Sequence, residues 1–182
     1  MNKVIISVIG EDRPGILAAV SDVLFASGCN IENISQTILQ YVFGALFVAA
    51  LPPAMDAKTL QARLMEGLSG LGLDVFVKEH ESVAHAAVRT QPFVITTFGP
   101  DRPGLVNGIT SIFARHAINV TNLKAVFKGG DVPQDNIMIF EVDIPLETPL
   151  PELRRELEQA AQGLGLEINI QHSRIFETMN RI

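Results

Sequence analysis

Apolar positions along this chain follow two periods in turn, and the whole succession occurs twice. Met1 to Ile9 is rich in β-branched residues and stops at Gly10, the pattern of a strand running into a turn. Ile16, Leu17, Val20, Val23 and Leu24 then recur at helical spacing until Gly28 ends the run. Pro14 stands where that helix is expected to begin, because a missing N–H costs nothing in the first turn. Ile31 to Gln40 and Phe43 to Leu51 read as two strands joined by a tight hairpin. Asp56 is placed to cap a second helix bearing Leu60, Leu64 and Leu68, and Leu73 to Glu81 alternates as a closing strand.

The order βαββαβ returns from Phe93 to Ser173, where Leu105, Val106, Ile109, Ile112 and Phe113 repeat the first helix face. The residues themselves repeat as well. Ile5 to Ile34 matches Val94 to Leu123 at an offset of 89, and Leu71-Gly72-Leu73-Asp74 matches Leu164-Gly165-Leu166-Glu167 at an offset of 93. Units of this length are small domains rather than solenoid repeats. Helices with one apolar face and strands with a half-buried pattern call for helices packed on one face of an antiparallel sheet. The expectation is an α+β chain of two ferredoxin-like domains, residues 1–81 and 92–174. A linker spans 82–91 and a short apolar tail 175–182. The four extra residues of the second copy fall in Lys128–Asp135, a Gly/Pro/Asp-rich loop.

Charge changes the picture by exclusion. Residues 1–81 hold nine acidic against five basic residues, and residues 92–182 hold eleven against eight. Neither half is built to neutralise nucleic-acid phosphates, so direct DNA binding is not expected. A single cysteine, Cys29, leaves no internal disulfide to form and suits a reducing cytoplasm. No uncharged run reaches the length of a membrane span, and no basic segment precedes an apolar one at the start, so neither membrane nor export is expected.

Candidate chemistry sits in Gly-x-Asp-Arg-Pro-Gly, present between first strand and first helix of both copies. Gly10 and Gly99 allow a sharp turn and a close approach to the backbone. The free N–H groups of the following helix, at Gly15–Ile16 and Gly104–Leu105, suit a carboxylate. Asp12 and Asp101 offer acceptors for an ammonium group. Asn30 and Asn119, entering the second strand, can donate and accept. Together these groups suit a zwitterion. A purely local reading competes: aspartate before Pro-Gly caps helices, and asparagine at a turn tolerates unusual backbone angles. Arg13 and Arg102 read as solvated helix-start residues or as anchors for an acidic partner.

The motif, the helix after it and the Gly-Cys-Asn-Ile or Ala-Ile-Asn-Val that follows resemble the ACT domain, a small regulatory amino-acid-binding module. Two such units filling 1–81 and 92–174 resemble the glycine cleavage system transcriptional repressor family. That resemblance implies a ligand between the first turn and the start of the second strand, often at a domain–domain interface. It marks Asp12 with Asn30 and Asp101 with Asn119, favours glycine as ligand, and implies a DNA-binding transcription factor as protein partner. Some ACT domains carry asparagine where this chain has Asp12 and Asp101.

The rest of the chain is chemically sparse. Its histidines (His80, His85, His116, His172) show no ligand spacing, Cys29 has no Cys-x-x-Cys partner, and no nucleophile set or phosphate loop is present. No catalytic residue, metal or cofactor is assigned, and the chain is not expected to be an enzyme. Glu152–Glu158 reads as a solvated helix face. Three functions remain: a sensor acting through a transcription factor, a regulatory subunit acting in trans on an amino-acid metabolic enzyme, or an interaction scaffold without ligand. Exposed sheet edges and faces lead to the expectation of a homo-oligomer, and the longer loop makes the second unit the better place for partner contact.

Overall fold

The computed structural model describes residues 2–80, 88–127 and 136–173. It divides into two compact units, residues 1–85 and 86–182. The first unit runs β1 (Lys3–Glu11), α1 (Ile16–Ala26), β2 (Asn30–Leu39), β3 (Val42–Ala50), α2 (Ala57–Gly67), a single 3-10 turn at Ser69–Leu71, and β4 (Leu73–Glu79). The second runs β5 (Thr90–Gly99), α3 (Leu105–Arg115), β6 (Asn119–Phe127), β7 (Asn136–Pro145), α4 (Leu150–Gly163) and β8 (Glu167–His172). Strand β5 thus begins inside the segment expected to be linker.

Each unit is one antiparallel sheet of four strands, in the order β2-β3-β1-β4 and β6-β7-β5-β8. This is the α+β, ferredoxin-like arrangement that the two periods imply. On the helix side, alternate residues of the central strands are fully buried: Val4, Ile6 and Val8 of β1 and Phe47 and Ala49 of β3 meet Ile16, Val20 and Leu24 of α1. The second core repeats the plan around Ile95, Phe140, Ile109 and Leu157, and Phe113 meets Phe140 edge-on. The other face of the first sheet stays open. Ile9, Leu46 and Phe76 are more than half exposed there.

Three local signals behaved as chemistry dictates. Asp56 accepts the Thr59 N–H at 2.7 Å and caps α2. The hairpin between β2 and β3 closes on Gln40 and Tyr41, with Gln40 at a φ of 57°. Gly67 leaves room for the Val23 side chain, which a Cβ there would meet at 2.6 Å.

The start of α1 departs from expectation. Its N-cap is Gly15, not a residue before Pro14, and Gly15 has a φ of 96°. Gly104 repeats this before α3, at 92°. A left-handed residue cannot lie inside a right-handed helix, so each helix begins after it and the proline belongs to the turn. The loop Lys128–Asp135, offered above as the place for partner contact, and the apolar tail 175–182 lie outside the described residues.

Candidate functional site

The duplicated turn is held by its own chain at two places in both units, and at a third in the first. At Gly10 a Cβ would come within 3.1 Å of the Gly72 carbonyl oxygen, and at Gly99 within 2.8 Å of the Gly165 carbonyl. The close approach that the glycine permits is therefore filled by the entry to β4 or β8 rather than left for a ligand. Arg13 donates to the Leu71 carbonyl, and Arg102 donates to the Leu164 carbonyl. Both arginines thus bind the orphan carbonyls at the end of the second helical segment, beside the left-handed Gly72 and Gly165. Both side chains stay exposed to solvent while making these bonds. In the first unit the Asp12 N–H adds a bond to the Tyr41 carbonyl at 2.8 Å, tying the turn to the hairpin.

The side of the turn at the helix start is open. Nothing lies within 4 Å of where a Cβ would stand at Gly15 or Gly104. The first intrahelical bonds run from Ala19 N–H to Gly15 O and from Gly108 N–H to Gly104 O, and neither helix has a side-chain cap. The N–H groups of Ile16 and Leu105 consequently precede the helical ladder, as the zwitterion reading requires. Asp12 and Asp101 are exposed, and among the described residues neither carboxylate has a partner. This removes the capping explanation for both. A concavity of about 670 Å³ lies along Asp101–Asn107.

The asparagines are not brought to the turn. Ala50 of β3 pairs with both Asn30 and Lys3, whereas Val42 pairs with Glu11 and Leu39. Asn30 is therefore at the opposite end of the sheet from Asp12, roughly 30 Å away at the usual strand rise. Asn119 stands likewise, paired with Asp143 in the row of Pro92, while Gly99 pairs with Asn136. The reason is topological. The helix together with the segments on either side of it returns the chain to the other end of the sheet before β2 starts. Asn30 instead lines a second concavity of about 700 Å³ with Gly28, Glu32 and Pro52, and Glu32 is ion-paired with Lys3 at 2.7 Å. Of the later asparagines, Asn122 donates to Glu141 at 3.0 Å.

Other ionisable groups serve the scaffold. Glu156 of α4 meets Arg115 of α3 and His116, which follows it, both at 3.2 Å. The His116 hydrogen bond first, and Arg115 after it, hold its carboxyl below the ordinary carboxylate range. Arg154 donates to the Ile170 carbonyl at 3.1 Å. The Glu152–Glu158 face is thus partly engaged rather than wholly solvated. Partial burial pushes the Cys29 thiol up, away from a reactive thiolate. No group of residues suited to a metal occurs among the described residues, and no helix there is long and apolar enough to cross a membrane.

Sequence reasoning passed over two side chains. Thr97 and Asn136 are 1% and 2% exposed on the helix-facing side of the second sheet, and their side-chain polar atoms have no hydrogen-bond partner among the described residues. Aligning the two copies would have found them, because Val8 and Phe43 hold the corresponding positions of the first unit.

Comparison with known proteins agrees with this architecture. Residues 2–78 and 91–171 each match the family described as ACT domain. The chain is similar to the glycine cleavage system transcriptional repressor of Escherichia coli, at 27% identity over 93% of this chain and 87% of that one. A UPF0237 protein of Methanopyrus kandleri is 40% identical over 49% of this chain and 99% of its own length. A solved structure described as a putative glycine cleavage system transcriptional repressor shares the fold, with a TM-score of 0.64 at 21% identity, covering 94% of this chain and 98% of that one. The two family matches together take in most of the 182 residues. The chain belongs to the ACT-domain family, as a tandem of two such units.

Proposed function

We propose that this protein is a non-enzymatic regulator that senses a small amino acid at its Asp-Arg-Pro-Gly turns and passes the signal to a protein partner. The observation that carries the reading is the open side of each turn. An uncapped helix N-terminus and an unpartnered aspartate stand together there, beside a glycine with nothing within 4 Å of its missing Cβ. The helix N–H groups and the positive end of the helix dipole receive the carboxylate, and Asp12 or Asp101 receives the ammonium group. Nothing there calls for a long ligand side chain, and glycine is favoured by the similarity to the glycine cleavage system repressor.

A ligand that uses Asn30 as well as Asp12 takes the two from different chains, since one unit keeps them at opposite ends of its sheet. The exposed apolar side chains of Ile9, Leu46 and Phe76 support such a homo-oligomer. The partner is a DNA-binding transcription factor, because the acidic surface of this chain suits a protein contact better than a phosphate backbone. Calorimetric titration with each of the twenty amino acids tests the sensor. A saturable heat with glycine or another small amino acid is expected, and flat titrations with all twenty would remove the ligand from the proposal.

A further inference from the structure

The two copies of the turn stand on different floors. In the first unit the last helix-facing positions of the central strands before the turn are Val8 and Phe43, both in the apolar core. In the second unit the same positions hold Thr97 and Asn136. Asn136 pairs with Gly99 and Thr97 pairs with Met138, so the two are diagonal neighbours on one face. The rung that carries Asn136 is the last before Pro100-Asp101. The replacement exchanges a phenyl ring for a shorter amide and a methyl group for a hydroxyl.

Apolar side chains at these places would seal the floor, as they do in the first unit. Three buried atoms, Thr97 Oγ1 and Asn136 Oδ1 and Nδ2, are instead left without a partner among the described residues. Native proteins rarely tolerate this, because each such atom has given up water and received nothing in return. The hydroxyl and the amide both donate and accept. They therefore complement the one-sided chemistry above them, where helix N–H groups only donate and the Asp101 carboxylate only accepts.

We propose that Thr97 and Asn136 form an inner subsite for the polar head group of a small amino acid, a subsite that the second unit has and the first lacks. This rests on the reading of the turn as an amino-acid site and deepens it: ligand specificity belongs to the second copy. Because the three atoms are closed off from solvent, a head group reaches them only when the Asp101–Gly104 turn and the first turn of α3 shift. Binding is thereby coupled to movement of a surface element. The first copy, with its apolar floor, keeps the turn without the inner contact.

The test is calorimetric titration of the full chain with each of the twenty amino acids, for the wild type, Thr97→Val, Asn136→Leu and Asp101→Ala, with a melting curve of each protein alone. The amino acid that binds the wild type is expected to bind both Thr97→Val and Asn136→Leu at least tenfold more weakly. Both floor variants, freed of unpartnered atoms, are expected to melt no lower than the wild type. Full affinity in both floor variants together with lost affinity in Asp101→Ala would overturn the inner subsite and leave the turn reading standing. Floor variants that melt several degrees lower with affinity intact would also overturn it, since the pair would then be held by structural water. Failure of the wild type to bind any amino acid brings down the turn reading, and the subsite with it.

Discussion

Two aspartates of this chain stand just before helices, and only one of them caps its helix. Asp56 accepts the Thr59 N–H at 2.7 Å and caps α2. Asp101 precedes an α3 whose cap is a glycine with no side-chain bond, and its carboxylate has no partner among the described residues. Replacing each with alanine separates capping from ligand binding. Loss of a working cap lowers the melting temperature of a unit this size by about 4–8 °C, the change expected for Asp56→Ala. Asp101→Ala removes no folded-state hydrogen bond and should change stability by less than about 0.5 kcal/mol. Its effect belongs in binding. A charge-assisted hydrogen bond contributes about 1.5–3 kcal/mol, which converts to a loss of roughly ten- to a hundredfold in affinity. Thermal melting and titration calorimetry on the same preparations read both quantities. If Asp101→Ala melts several degrees low and binds its amino acid as the wild type does, Asp101 is a structural residue and the reasoning about the open turn fails.

Arg102→Met removes the bond to the Leu164 carbonyl, and at this exposed site a cost of about 1 kcal/mol is expected in a denaturant titration; an unchanged midpoint would show that the bond contributes nothing to stability. Gly99→Ala forces a Cβ to within 2.8 Å of the Gly165 carbonyl oxygen, and such overpacking should cost about 1–3 kcal/mol in the same assay. The carboxyls of Glu156 and Asp56 are held below their ordinary range, by His116 and by Thr59 respectively. A depressed folded-state pKa contributes stability above the unfolded pKa and loses it as pH falls through the folded value. Melting temperature should therefore decline on the acid side of the carboxylate range, and Glu156→Gln should flatten that decline. The purified protein should leave DNA unshifted at physiological salt while altering the complex formed by a DNA-binding partner; a sequence-specific shift by this chain alone would contradict action through that partner.

The sequence by itself determined the architecture. Two periods of apolar residues, repeated at an offset of 89, specified strands and helices in the order βαββαβ, and most of each helix face marked by that spacing is buried, although Leu17 of α1 stays exposed. Asp56 could be read as a cap because capping is decided within four residues of chain. The motif turn was legible as a turn for the same reason. Its side chains were not, because their partners lie far away in sequence. Arg102 and the Leu164 carbonyl are 62 residues apart, and the neighbour that makes Gly99 necessary is the Gly165 backbone. The resemblance to ACT domains likewise paired Asn30 with Asp12, whereas α1 and the segments flanking it return the chain to the other end of the sheet before Asn30. Thr97 and Asn136 look like ordinary polar interruptions of a strand until the fold closes over them. Burial is a property of the packed layers, and only the tertiary structure could turn two unremarkable residues into a buried, unpartnered pair on the strands that lead to the second turn.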